Sequence, residues 1–253
     1  MSRPWFEYYF DGLFSKLMRK HFTLDNVFLK YEYPQVRRHF PPPPSKVLDI
    51  PCGLGRLSLA LAGEGYDVVG VDFKEEFVSD CAAISRRAGL SANFIVGDMR
   101  SFCFKESFHV ALNYGQSFGY FDEVGERKFC REVYNALVPG GIFFAEYLNK
   151  TYIKEFFKEQ VKFYWGDIES VAKYRLDRTG HRLLADWNMY ESSSNTAESS
   201  NIDIRIYTDN EIIALLQSVG FSEVHVHTPI HPGNLDTFSE TMFVLACKSE
   251  SCS

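Results

Sequence analysis

No run of apolar residues in the 253-residue chain approaches the roughly 20 that a membrane-crossing helix needs. Positive charge is in short supply as well. Lys and Arg total 27 against 33 Asp and Glu, which gives a net charge of −6 and a pI near 5.7. That balance offers phosphate backbones no general attraction, so a nucleic-acid partner is not expected. The first twenty residues interleave Arg3, Glu7, Asp11, Lys16, Arg19 and Lys20 with aromatics, so a secretory signal is not expected either. Six cysteines lie scattered without paired spacing, the pattern of free thiols in a cytoplasmic protein. No internal repeat is visible. What the chain does have is apolar bulk: 45% of it is hydrophobic, with 23 Phe and 14 Tyr. Its length suits one large α/β domain with an elaboration.

The most informative stretch is Lys46-Val-Leu-Asp-Ile-Pro-Cys-Gly-Leu-Gly-Arg56. Val47, Leu48 and Ile50 predict a short buried strand, and Leu57 to Leu61 predict a helix stopped at Gly63 or Gly65. Between them, Gly53 and Gly55 allow a tight turn and close backbone approach to a ligand. The helix start behind that turn offers free N–H groups and the positive end of its dipole. Asp49 ends the strand on the side where open α/β sheets bind ligands.

Upstream, Phe6, Phe10, Leu13, Phe14, Leu17 and Met18 recur at helical spacing, and a second helix is expected from Asp25 to about His39. Residues 1–40 therefore predict a helical lid over the glycine turn; a helix that merely covers sheet surface would leave the same pattern. Pro41–Pro44 is a stiff spacer. Downstream, Tyr66–Asp72, Asn93–Val96, Phe108–Asn113 and Ile142–Tyr147 predict four more strands, with helices at 75–88 and 122–137. The fold class is therefore α/β, with a doubly wound, mostly parallel seven-stranded sheet over 45–149 and 208–253. Between them, 150–207 predicts an antiparallel β insertion, in which Glu191–Ser200 is expected to be a polar, unpacked loop. Thr208 and Glu211 match a capping box before a helix that Gly220 stops.

Four features in order resemble class I S-adenosylmethionine-dependent methyltransferases: Asp49-Ile-Pro-Cys-Gly-Leu-Gly, Asp72, Gly97-Asp98-Met99, and Pro139-Gly140-Gly141 before strand five. The resemblance is closest to a small-molecule branch that is similar to amino-sugar N-methyltransferases and glycine N-methyltransferase. Its further marks are Trp5-Phe6-Glu7, the run Asn113 to Phe121, and Arg205-Ile-Tyr-Thr208. The resemblance implies S-adenosyl-L-methionine as cofactor. It implies that the loop with Asp49, Pro51, Cys52, Gly53, Gly55 and Arg56 cradles the methionine part. Asp72, followed by Phe73, would bind the ribose, Asp98 the adenine amino group, Met99 would lie beside the ring, and Asn113 would close the set. Gly53-x-Gly55-x-x-Ser58 falls one residue short of a dinucleotide fingerprint, which would not call for Gly97-Asp98-Met99.

For the acceptor, a small molecule carrying an amine or hydroxyl, Asn113, Tyr114, Tyr120 and Glu146 are the candidate catalytic residues, placed by the sequence beside the transferring methyl. Methyl transfer is an in-line displacement, to which orientation and water exclusion contribute most. An RNA or protein acceptor is the alternative, but Asn113-Tyr-Gly-Gln stands where many such enzymes carry Asn/Asp-Pro-Pro-Tyr/Phe. A non-catalytic cofactor-binding module is the second alternative, and would need its acceptor pocket filled. His225, His227 and His231 alternate, but no cluster of acids or cysteines lies nearby in sequence, so no metal site is expected. Trp165, Tyr174, Trp187 and Tyr190 of the insertion should either roof the acceptor pocket or pair two copies of the chain as a homodimer.

Overall fold

A computed structural model describes residues 4–21, 30, 33–229 and 240–249. Its larger sheet has seven strands in the order β3-β2-β1-β4-β5-β11-β10. These are β1 (Lys46–Asp49), β2 (Asp67–Asp72), β3 (Ala92–Val96), β4 (Phe108–Asn113), β5 (Leu137–Leu148), β10 (Phe221–His227) and β11 (Thr241–Lys248). All pairings are parallel except those of β11, which runs against both neighbours. Helices cover both faces, so the inner strands read as unbroken apolar runs. Val47, Leu48, Val110, Ala111 and Leu112 are wholly buried. Helix α3 (Arg56–Gly63) follows β1, α4 (Glu75–Ala88) follows β2, α5 (Glu123–Ala136) precedes β5, and α7 (Asp209–Val219) precedes β10. Residues 97–107 join β3 to β4 without a helix.

β5 starts earlier than its apolar run suggests. Leu137 already pairs with Phe108, and a bulge before Ile142 takes up Pro139-Gly140-Gly141, where a proline without an N–H is tolerated. The capping box is formed. Thr208 Oγ1 accepts from Glu211 N at 3.3 Å, and Glu211 Oε2 accepts from Thr208 N at 2.8 Å.

The insertion is a four-stranded antiparallel sheet: β6 (Gln160–Trp165), β7 (Ile168–Leu176), β8 (Arg182–Glu191) and β9 (Thr196–Arg205). A short helix not foreseen in the sequence, α6 (Lys150–Glu155), leads into it, capped by the Asn149 side chain. The serine-rich stretch expected to be an unpacked loop is a hairpin. Ser192–Asn195 turn, Asn195 taking a positive φ of 53°, and residues 196–200 pair with β8. Backbone pairing holds a strand there that has no apolar alternation to announce it.

The insertion's aromatics divide between its two faces. Tyr174 and Trp187 point to the interior, and Trp165 packs beside Leu13 and Leu17. Tyr190 does not join the roof: it is 45% exposed on an outer face that also carries Arg175 and Asp186 as an ion pair at 2.7 Å. With Tyr174 and Trp187 turned inward, that outer face keeps Tyr164 and Tyr190 as exposed aromatics set among charged residues, too little apolar surface for a stable partner. Light scattering at tens of micromolar should return a monomer, and a stable dimer would oppose this assignment.

The N-terminal arm departs from one continuous helix. Trp5–Glu7 form a 3-10 turn, and helix α1 begins only at Gly12, running Gly12–His21. Glu198 of β9 accepts from Leu13 N at 2.6 Å, capping that helix from another element. Lys16 pairs with Glu191 at 2.5 Å on the insertion, while Asp11 pairs with Lys74 and Arg19 with Asp80 beside α4. The arm thus spans the two sheets. The expected second helix is described only as α2 (Tyr33–Arg37), its earlier part lying outside the described residues. Val36 and Phe40 pack with Leu57, Leu61 and Phe144, so this part covers sheet surface, away from the glycine turn.

Candidate active site

The carboxyl ends of β1, β2, β4 and β5 open onto one cavity of about 830 Å³. Each end delivers side chains to it for a local reason. After β1 the chain turns through two glycines that differ in role. At Gly55 (φ +69°) an added Cβ would meet Cys81 Sγ at 2.7 Å, so this glycine serves close packing against α4. At Gly53 (φ +54°) an added Cβ would meet nothing within 4 Å, because that position faces open space. Pro51, Cys52, Gly53 and Arg56 line the cavity, with Phe73, Met99, Tyr114, Tyr120 and Glu146.

Asp72 ends β2 and is 5% exposed. Its Oδ2 accepts from Gly53 N at 2.8 Å and its Oδ1 from Lys74 N at 2.9 Å. Burial raises its pKa despite those bonds. The carboxylate therefore ties the glycine turn to β2 while lining the cavity. Asp98 is engaged differently from the expectation: Arg100 holds both of its oxygens, Oδ1 from Nε at 3.0 Å and Oδ2 from Nη2 at 2.6 Å. The Arg100 guanidinium lies 4.4 Å from the Phe121 ring centre. An adenine amino group would have to share Asp98 with it.

Three residues expected among the ligands stand behind the cavity wall. Asp49, 3% exposed, accepts from Ser58 Oγ at 2.5 Å and braces α3. Asn113, wholly buried, donates from Nδ2 to Ile50 O at 2.8 Å and so fixes β4 to the end of β1. Gly55 packs on Cys81, as above. Strand ends alternate sides, and the sequence does not reveal which side the cavity takes. Cys52 lines the cavity, but the Cys81 contact and burial push its thiol pKa up, away from a nucleophile. Arg205 and Tyr207 also lie elsewhere, beside a smaller cavity with Glu126, and Tyr207 is core. His231 is outside the described residues, and the His227 ring sits 5.5 Å from that of His39.

Burial raises the Asp49 pKa to about 7, and Asp72 nearby pushes the same way. The folded state then holds a proton that the unfolded chain releases near pH 4. Stability should fall as pH rises from about 4 to about 7. Three units correspond to ~4 kcal/mol as an upper bound. Asp49→Asn should therefore gain more in melting temperature over wild type at pH 8 than at pH 5; equal differences at both would oppose a buried acid there.

Past β4, the run Gly115–Phe121 forms the far wall. Glu146 on β5, 7% exposed, accepts from Gly115 N at 2.9 Å and from Gln116 N at 3.2 Å. Tyr120 bonds Ser117 and meets the N-terminal arm, 4.7 Å from the Trp5 ring and stacked at 6.2 Å on Phe6. Gly119 (φ +104°) lets the end of β9 come close to this run, since an added Cβ would meet Arg205 O at 2.3 Å. Leu183, Trp187, Ile202 and Ile204 of the insertion complete the enclosure. Sequence reasoning missed α6, Arg100 and the inward pattern of β9. Alternation in Ile202-Asp-Ile-Arg-Ile206 was the signal for the last.

Comparison with known proteins places this geometry. Residues 47–141 match the family described as "Methyltransferase domain". The Bacillus subtilis (strain 168) protein YqeM is 22% identical over 220 residues, covering 83% of this chain and 87% of its own. A Clostridium acetobutylicum ATCC 824 S-adenosylmethionine-dependent methyltransferase superposes with a TM-score of 0.75 at 16% identity, over 94% of this chain and 98% of that one. The sugar N-methyltransferase KedS8 from Streptoalloteichus sp ATCC 53650 superposes at 0.63 with 17% identity, covering 94% and 92%. These structures share the fold.

Proposed function

We infer, for a chain whose residues 47–141 belong to the methyltransferase domain family, that it transfers a methyl group from S-adenosylmethionine to an amine or hydroxyl of a small molecule. One observation supports this most. A single cavity runs from the glycine turn and Asp72, past Glu146, into a chamber roofed by the insertion. At about 830 Å³ it lies toward the upper end of the ~300–1,000 Å³ typical of small-molecule sites, so a cofactor leaves room for an acceptor. A filled chamber would have favoured a non-catalytic module. Enclosure on three sides by the arm, the insertion and α6 disfavours an RNA or protein chain as acceptor.

The residues fit the cofactor. Gly53 leaves the space that a side chain would fill, and Asp72 presents a buried carboxylate at the strand end that the ribose hydroxyls need. When bound, S-adenosylmethionine supplies a methyl on cationic sulfur, which departs as a neutral thioether as the acceptor gains the methyl and gives up its proton. The chain's own part is to hold and to exclude. Asp72 and Gly53 hold one end; Tyr120 and Tyr114 wall the meeting point; Trp5 and Phe6 cover it against water. Glu146 favours positive charge developing on an amine and can receive its proton. Residues 4–21 act as the lid in this scheme.

Gly53→Ala should separate fold from binding. The variant should melt within a few degrees of wild type, since its Cβ meets no neighbour and the αL backbone costs only ~1–2 kcal/mol. Its affinity for S-adenosylhomocysteine by calorimetry should fall about tenfold or more; unchanged affinity would place the cofactor elsewhere. The function itself is tested by incubating the protein with methyl-radiolabelled S-adenosylmethionine and metabolite extract. Label should move to a small molecule, and transfer to RNA or protein alone would reverse the reading.

A further inference from the structure

The chamber beyond Glu146 differs in chemistry from the cofactor end. Its walls are Ile153 of α6 and Leu183, Ile202 and Ile204 of the insertion, with Phe163 stacked on Trp187 at 5.6 Å and 11°. Tyr174 stands edge-on to Trp187 at 6.4 Å, and Tyr9 does so at 6.3 Å from the arm. Among the described residues, the carboxylate and ammonium groups on this side are those of Lys158 and Glu240, both exposed at the rim. The hydrogen-bonding groups deeper in are chiefly tyrosine hydroxyls, and burial lifts the Tyr174 pKa to about 12, so it stays protonated.

A sugar could not be buried here without loss. Nearly every carbon of a hexose carries a hydroxyl, and each one buried unpaired forfeits its hydrogen bonds to water. A flat apolar molecule loses none of these and gains stacking against the Phe163–Trp187 slab. Building on the methyl-transfer reading above, we propose that the acceptor is a planar aromatic molecule, seated against Trp187 and presenting one amino or hydroxyl group at its edge to Glu146. The methyl carbon bonds to that nitrogen or oxygen as the sulfur–carbon pair returns to sulfur, and the proton released passes to Glu146 or to water. Specificity then rests on shape and on the depth at which the nucleophile meets Glu146, and less on hydrogen-bond counting.

The test uses the full chain saturated with S-adenosylhomocysteine, whose binding is measured first by calorimetry. Three probes follow: 2-naphthol, 6-aminoquinoline and D-glucosamine. At least one fused-ring probe should bind with tryptophan fluorescence quenching, the preferred one separating a hydroxyl from an amine acceptor, while glucosamine gives no heat at millimolar concentration. Trp187→Ala should weaken the ring probe tenfold or more and change S-adenosylhomocysteine affinity less than twofold. Tyr174→Phe, which keeps the ring and removes the hydroxyl, should bind the ring probe as wild type does. Glucosamine binding more tightly than both rings, no ring binding at all, an unaffected Trp187→Ala, or a tenfold loss in Tyr174→Phe would each overturn the proposal. Failure of S-adenosylhomocysteine itself to bind would instead overturn the methyl-transfer reading on which it rests.

Discussion

Asp72→Ala should lose at least tenfold in S-adenosylhomocysteine affinity, and the loss should exceed that of any other single change at the cofactor end. Two losses add in this variant. The first is the acceptor for two sugar hydroxyls; hydrogen bonds to a charged group are worth ~1.5–3 kcal/mol, and ~1.4 kcal/mol is tenfold. The second is internal, because Asp72 Oδ2 now accepts from Gly53 N at 2.8 Å and Oδ1 from Lys74 N at 2.9 Å. Without them the glycine turn loses its tether to β2, and the cofactor must order it on binding. Asp72→Asn keeps one oxygen acceptor and should fall between wild type and alanine. Calorimetry on folded protein decides: alanine and wild type with equal affinity would remove Asp72 from the cofactor site.

Much of this site was open to reading because its rules are local. A strand, two glycines and a helix are set by neighbours in sequence, and Asp72 is placed by the end of its own strand. The apolar runs recovered β1 to β4 to within about a residue, while β5 begins earlier than expected, since proline and two glycines read as a stop and not as a bulge. What escaped depends on side-chain and strand pairings that form only in the fold. Asp49 looks like a ligand until Ser58, nine residues on, is seen to donate to it. Asp98 looks available until Arg100 folds back on it. The polar stretch at 191–200 lacks alternation, yet pairing with β8 and the cap it gives α1 make it structure. The roof follows the same logic: each aromatic was visible, but which faced inward was set by the pairing of β7, β8 and β9.

Glu146→Gln and Tyr120→Phe should each lower turnover by roughly tenfold to a few hundredfold, with S-adenosylhomocysteine affinity within twofold of wild type. The geometry explains why the two effects should separate. Glu146 uses Oε2 to hold Gly115 N and Gln116 N, and a glutamine oxygen can accept those same bonds. The wall therefore stays, and what is lost is the negative charge facing a nucleophile that becomes positive, or sheds a proton, in the transition state. Tyr120 bonds Ser117 and is enclosed by Trp5 and Phe6, and burial keeps its hydroxyl protonated. Phenylalanine preserves that packing and removes one oriented hydrogen bond. Single-turnover assays with the acceptor found by the radiolabel screen separate the chemical step from product release. If both variants keep wild-type rates, the methyl is delivered deeper in the chamber, toward Trp187. Arg205 and Tyr207, which flank the separate small cavity beside Glu126, would not take over the role.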